Sequence, residues 1–527
     1  MGLADEIVIP KTMSTQHPDN ASPPPWSTSG VIEGEAELHE AYFAYHDLAC
    51  NEVMWDSEGK DVDTNVVRKL LSKYSDYFKK KRLGEDIFLT YRIPNPLVEK
   101  AERKIVTQTL QTIPLSSDVA SAFYEEGSVP VFEVILPFTT KGSELIWLDE
   151  CYRKAIAGIE NIGLDGGMKV KDWVGAFLPK KIRAIPLVED AESLSSIDKI
   201  VTEYIRAVKA KHVRVFIARS DPALNYGVIA ATLLAKVALS KLATVEAKTG
   251  ARVHPIIGVG TMPFRGHLSP DSVDAFLSEY QGLDTVTAQS AFRYDYPLKS
   301  VDGAIERLNR KLPNGKPVQV GADEEKLLLG SIAKLIHSFQ ERVEALAPLI
   351  NFVASYVPTR RARKLHIGLF GYSRSVKGVS MPRAIPFAAA LYSLGFPPEF
   401  LGAEAIRSMS DPEWKAVKRG YVNMKLDYRT VGALVSWETV NMILDRHDKI
   451  AKLVGMDKEK LKAGLGQVMS DLSTVEETLK VHLGPSDNST RKHENFVNTF
   501  LISMMERDRP GASEAFMQAA KLRRCLG

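Results

Sequence analysis

The chain has 527 residues, 45% of them hydrophobic, 25% charged and 8% aromatic, which excludes disordered, collagen-like and coiled-coil classes. Its 68 basic and 65 acidic side chains leave a formal net charge of +3, so no global field draws it to nucleic acid or an anionic membrane. Three cysteines, Cys50, Cys151 and Cys525, are too few for a disulfide framework and lack metal-type spacing, which suits a reducing, cytoplasmic setting.

Asp5 and Glu6 follow Met1 closely, where a secretory segment would place positive charge and then an apolar run. The first 85 residues begin irregularly, with Pro23, Pro24 and Pro25 in a row, and then turn helical over 35–51 and 66–78, where apolar residues recur at helical spacing. Strands are predicted over 87–93, 130–136, 182–188, 213–218, 253–259, 285–290 and 365–370, with helices such as 228–249 and 324–349 between them. The stretch 384–403 is the most membrane-like, but Pro386, Pro397, Pro398 and Glu399 interrupt it. A spanning helix wants about 20 unbroken apolar residues, so this stretch reads as packed core. Beyond Gly402 the pattern is helical to the end, as over 438–454 and 514–522.

Alternating strands and helices imply a parallel sheet, either doubly wound or closed. Polar residues after several strands favour closure: Arg92, Glu189, Asp221, Arg265, Gln289 with Arg293, and Arg374. Barrels assemble their sites from many strand ends, whereas a doubly wound sheet concentrates chemistry at one switch point. Gly258-Val-Gly260 is only half of a dinucleotide fingerprint, Met262-Pro263 follows it, and there is no Gly-Lys-Ser/Thr phosphate loop. The expected fold is therefore α/β, a TIM-like (β/α)8 barrel with additional helices and largely helical N-terminal and C-terminal parts. Its organisation is read as an N-terminal segment over 1–85, the barrel over 86–402 and a helical region over 403–527. The basic runs 79–82 and 360–364 read as solvated helix ends or loops.

Several residues could carry chemistry. His17 lies in Thr12-Met-Ser-Thr-Gln-His17-Pro-Asp-Asn20, where Pro18 disfavours helical backbone at His17. It suits a general base or an anion contact, and equally a solvated loop histidine. Glu189 and Asp221 each end a β-type run and could chelate a hard divalent cation such as Mg²⁺. They could instead be helix caps, with Pro222 at a first helical position after Asp221. Arg265 in Met262-Pro-Phe-Arg265-Gly-His267, with Arg374 and Arg383 further on, could clamp a carboxylate or phosphate or simply form surface ion pairs.

The segments Thr12–Asn20, Glu52-Val-Met-Trp-Asp-Ser-Glu-Gly-Lys-Asp-Val-Asp63, Met262–Leu268, Gln289-Ser-Ala-Phe-Arg-Tyr-Asp295 and Arg383–Gly402 together resemble the short, archaeal-type phosphoenolpyruvate carboxylase. The resemblance spans nearly the whole chain. It implies carboxylation of phosphoenolpyruvate by bicarbonate, giving oxaloacetate and phosphate, with Mg²⁺ (or Mn²⁺). Through the longer enzymes of that kind it implies His17 and Arg265 as catalytic, Arg374 and Arg383 as substrate-binding, and Glu189 and Asp221 as metal ligands. Two departures stand out. Val259 holds the middle of the Gly258–Gly260 half-loop where the long enzymes have arginine, and Leu224 replaces their lysine. Arg92, Arg183, Arg219 and Arg293 are candidates to compensate, with Arg92 placed in the substrate-binding set. The C-terminal inhibitor contact of the long enzymes does not carry over to Cys525-Leu-Gly527. The resemblance also implies a homotetramer, for which the helical C-terminal third offers surface. The rival readings are another metal-dependent barrel lyase or aldolase acting on a 2-oxo acid through an enolate, and a non-catalytic anion-sensing assembly protein.

Overall fold

Eight short strands pair in parallel, each with the next in sequence: β1 (Thr12–Ser14), β2 (Glu52–Asp56), β3 (Phe88–Arg92), β4 (Glu133–Leu136), β5 (Arg183–Val188), β6 (His212–Ala218), β7 (Arg252–Gly258) and β8 (Thr285–Ala288). β8 returns to β1 with Thr12 opposite Val286 and Ser14 opposite Ala288, which closes the barrel. The computed structural model describes residues 8–27, 30–58, 60, 62–101, 103–361, 374–376 and 379–527, without the side chains of 374–376 and 379. The fold is the (β/α)8 barrel that the strand–helix alternation implied.

Six of the seven predicted strands are present, and the seventh, over 365–370, lies outside the described residues. The barrel's first two strands fall within the first 85 residues, read from sequence as irregular and then helical. β1 is only three residues long, and β2 reads Glu-Val-Met-Trp-Asp, with a carboxylate at each end instead of an apolar run. The helix expected over 35–51 stops at His46. Ala49 beyond it has φ 52°, in the left-handed region where a side chain is unfavourable.

Side chains alternate along a strand, so every second residue points into the barrel. On β6, Val213, Val215 and Ile217 pack outward against the helices while Phe216 and Ala218 join the inner core. That inner core also takes Met13, Met54, Ile135, Ile185, Leu187 and Ile256. Gly258 belongs to the same packing, because a Cβ there would meet the Phe216 ring at 2.8 Å. Below this plug lies a charged layer. Arg214 donates from Nη1 to Glu52 at 2.8 Å and Glu133 at 2.7 Å, and from Nη2 to Glu52 at 2.7 Å and Thr285 at 3.2 Å. Burial opposes its charge, but Glu52 and Glu133 outweigh that and hold its pKa above the ordinary value.

The described residues after the barrel are mostly helical, apart from a hairpin of β9 (Arg374–Val376) and β10 (Val379–Met381). The 33-residue helix Ala322–Ala354 packs on Val228–Thr249, Ala384–Ser393 and Lys458–Leu479. Ala384–Ser393 is core, as expected. Among the described residues, however, the one helix long and apolar enough to cross a membrane is Val228–Thr249, and 83% of its apolar window is buried within the molecule. Of the basic runs, Arg82 pairs with Glu85 and Glu126 as a half-exposed residue should. Arg361 instead is buried against Glu37 and Glu40.

Arg214→Met should strand two buried carboxylates, and breaking such a pair costs about 3–5 kcal/mol. The expected outcome is a clearly lower thermal midpoint in calorimetry, with turnover retained by protein kept at permissive temperature. An unchanged midpoint would show the charged layer to be dispensable.

Candidate active site

The same alternation that buries Glu52 and Met54 carries Asp56 to the C-terminal end of β2, and Arg92 ends the neighbouring β3. Arg92 grips Asp56 with two bonds, Nε to Oδ1 at 2.7 Å and Nη2 to Oδ2 at 2.6 Å, and lies 3.0 Å from Glu58. This fork uses Nε and Nη2 and leaves Nη1 without a partner among the described residues. Lys60 also binds Asp56, and all four side chains are buried.

His17 follows β1 at the same mouth and is half-buried. Its Nδ1 meets Thr15 Oγ1 at 3.0 Å, leaving Nε2 for a ligand. Burial, and after it the positive charges of Lys60, Arg92, Arg265 and Arg383, hold its pKa well below 6.5. The ring is therefore neutral near pH 7 and able to accept a proton. Arg383 is thus brought to the site by its charge, at the N-terminal edge of Ala384–Ser393. The side chain of Arg374 lies outside those described.

Arg265 sits in the short turn Pro263–Arg265 after β7. Gly266 closes that turn at φ +112°, and a Cβ there would stand 2.4 Å from Val259 Cγ1, so only glycine fits. The C-terminal helices grip the turn from behind. Glu399 accepts from Phe264 N at 2.8 Å and from the Tyr392 hydroxyl at 2.6 Å, and burial pushes its pKa up to about 7. Asp427 meets His267 Nδ1 at 2.5 Å and the Tyr421 hydroxyl at 2.6 Å.

Glu189 and Asp221 follow the adjacent strands β5 and β6. Neither is a helix cap. Asp190 caps the helix Ala191–Ser195 by accepting from Ser193 N, while Glu189 accepts from Phe138 N at 2.9 Å. Asp221 lies inside the helix Ser220–Tyr226, whose cap position is Arg219. No cluster of three or more His, Cys, Asp or Glu among the described residues could hold a metal ion by itself. Two carboxylates on neighbouring strand ends fit a hard cation that keeps water and substrate oxygens as its other ligands, as Mg²⁺ does.

A family model described as Phosphoenolpyruvate carboxylase matches residues 9–527. The chain belongs to that family. The phosphoenolpyruvate carboxylase of Metallosphaera sedula is 44% identical over 98% of this chain and 99% of its own length. That of Caldivirga maquilingensis is 43% identical over 99% and 100%, and that of Methanothermobacter thermautotrophicus 48% over 76% and 82%.

Within this phosphoenolpyruvate carboxylase frame, the four arginines weighed against the missing lysine separate cleanly. Arg183 opens β5, at the opposite end of the barrel. Arg219 is buried and bonded to the Tyr280 hydroxyl, Thr232 and the Phe264 carbonyl. Arg293 serves Glu40 and the Thr15 carbonyl. Arg92 alone of the four stands with His17. Lys60 was not singled out from sequence. Its signal was the alternation Asp56-x-Glu58-x-Lys60, which sets three charges beside a strand end. The C-terminal residues also reach the site, since Gly527 O accepts from Arg265 Nη1 at 3.0 Å.

A histidine whose folded pKa is depressed stabilises the fold above its unfolded pKa, and that contribution fades as pH falls through 6.5 toward the folded value. His17→Asn should therefore gain thermal midpoint relative to the parent as pH drops from about 7 to about 5. Parallel midpoint curves for the two proteins over that range would contradict the neutral assignment.

Proposed function

We propose that this chain catalyses the bicarbonate-dependent carboxylation of phosphoenolpyruvate to oxaloacetate, with release of phosphate. The observation that carries this reading is the family match over residues 9–527, and a barrel mouth at which His17 shares space with Lys60, Arg92, Arg265 and Arg383 while Glu189 and Asp221 follow adjacent strands supports it. Family membership supplies the substrates. Phosphoenolpyruvate and bicarbonate are both anionic, so bringing them together requires concentrated positive charge in a site that excludes water. Arg92, through its open Nη1, Lys60, Arg383 and, by resemblance, Arg374 provide it. Bound between Glu189 and Asp221, Mg²⁺ or Mn²⁺ would supply Lewis acidity to substrate oxygens.

A bicarbonate oxygen attacks phosphorus, and the phosphorus bond to the enol oxygen breaks, giving carboxyphosphate and pyruvate enolate. His17 then takes the proton of carboxyphosphate at Nε2, and the carbon–oxygen bond to phosphate breaks to release CO2. The enolate carbon captures CO2 before water can protonate it. His17 is suited to this because burial, and after it the surrounding cations, keep its proton site empty. All three cysteines are free, which supports a reducing cytoplasmic setting. No part of the chemistry calls for nucleic acid or a membrane.

His17→Asn should leave phosphate release partly alive while blocking carboxylation, yielding pyruvate and phosphate with little oxaloacetate. The measurement is phosphate released against oxaloacetate trapped by malate dehydrogenase, with bicarbonate and Mg²⁺ each omitted in turn. A ratio near one in the variant would remove the second-stage role.

The working assembly is a homotetramer in this reading. Its best support is not the C-terminal third but the excursion over 162–174, where Ile162, Leu164, Met168, Trp173 and Val174 stand exposed, Trp173 by 75%. Such a run of exposed apolar side chains is a mark of an association surface. Trp173→Asp should shift the particle to a smaller species in light scattering. A parent protein that is already monomeric at micromolar concentration would end this proposal.

A further inference from the structure

Arg183 lies at the end of the barrel away from the mouth, and its surroundings there are those of a second site. On β5 the alternation that sends Ile185 and Leu187 into the inner core carries Arg183 to the same face, one step below them. On β6 it places His212 beneath Arg214 and Phe216. These strand starts, with Lys181 before β5 and the segment 209–211 before β6, line a cavity of about 230 Å³ at the base of the barrel. The inner core separates it from the mouth.

The wall of this cavity is positive. Among the described residues it carries Lys181, Arg183, Lys209, Lys211 and Arg214. Two carboxylates, Glu133 and Asp149, stand against them. Glu133 accepts from Arg214 Nη1 at 2.7 Å, and Asp149 accepts from Arg153 Nε at 2.7 Å. Arg183 lies over the Phe132 ring, 5.5 Å from its centroid. Burial holds its pKa below the ordinary value although Glu133 and Tyr204 act the other way, whereas the carboxylates around Arg214 hold that residue's pKa high. The cost of burying the Arg183 charge is therefore only partly offset. Arg214, 3% exposed, keeps its buried Nε without a hydrogen-bond partner among the described residues. A buried donor left over in the roof of a cavity points to a ligand. The remaining wall is rigid. His212 Nδ1 meets His254 Nε2 at 3.2 Å, and His254 Nδ1 meets Asp284 Oδ2 at 2.6 Å, which ties β6 and β7 to the residue before β8.

We propose that the base of the barrel is a second anion site, for a tetrahedral phosphate-type dianion, either free phosphate or the phosphoryl end of a small monoester. The cavity is smaller than the roughly 300–1,000 Å³ of pockets that take drug-sized ligands, so the group it holds is compact. A tetrahedral oxyanion presents oxygens in several directions and can meet cations from β5 and from 209–211 together, whereas a carboxylate presents two in one plane. The site is independent of the reaction assigned to the mouth.

Equilibrium dialysis of labelled inorganic phosphate against metal-free protein, with ionic strength held constant by KCl, reads the number bound per chain. At millimolar phosphate the parent should bind one more per chain than Arg183→Met, because losing one charge-assisted partner weakens binding roughly tenfold or more. Turnover of Arg183→Met should stay within about twofold of the parent, since the residue is remote from the mouth. If Arg183→Met fails to fold or loses turnover, the double variant Lys209→Ser with Lys211→Ser, both at exposed positions, decides alone. Glycerol 3-phosphate that displaces the extra phosphate more readily than unlabelled phosphate does assigns the site to a monoester, and equal or weaker displacement assigns it to the free ion. Equal counts in parent and variants overturn the proposal. Succinate that displaces the extra phosphate as readily as phosphate itself overturns the tetrahedral class.

Discussion

Closing eight parallel strands into a barrel forces every second side chain into a shared interior, and most of this molecule follows from how that interior is filled. On β2 three inward positions read Glu52, Met54, Asp56, which are a charged base, an apolar plug and a functional mouth in one five-residue strand. β5 repeats the scheme with Ile185 and Leu187 below Glu189. Since the plug excludes water, each charge above or below it needs a partner. Arg214 answers Glu52 and Glu133 at the base, and Arg92 with Lys60 answers Asp56 at the mouth.

This pairing shapes the chemistry. Among the described side chains, Asp19, Asp56 and Glu58 stand against Arg265, Lys60 and Arg92, so part of the positive charge at the mouth is answered within the protein. The surplus is local and geometric. Among the described residues it includes the Arg92 Nη1 outside that fork and the charge of Arg383, beside a histidine that burial, and after it these charges, hold in the neutral form.

The fold was legible wherever strands were apolar and long enough to stand out, as over β6 and β7, and the helix Val228–Thr249 keeps the bounds its pattern suggested. It was illegible where the barrel uses very short or charged strands. β1 has too few residues to show alternation, and the carboxylates of β2 disguise a strand as a polar loop. Among candidate site residues, the positions of those at the ends of visible strands were readable: Arg92, Glu189 and Asp221. Lys60 was not, because its place depends on β2 being a strand. The work of Asp19, Glu399 and Asp427 was hidden for another reason. Each acts on the 263–267 turn across more than a hundred residues of sequence, and no local pattern encodes a partner so distant.

The long apolar helix Val228–Thr249 carries a consequence for synthesis. It is buried in the finished protein by Ile197–Val208 and Ser220–Tyr226, made just before it, and in part by Ala322–Ala354, which the ribosome makes only later. As the chain emerges from its N-terminus, the part of that apolar helix on which Ala322–Ala354 will pack is left for a time uncovered. Domains emerging in this way meet chaperones and aggregation at the same moment. A fragment ending before residue 322 would keep all eight barrel strands and still lack the cover that Ala322–Ala354 gives this helix.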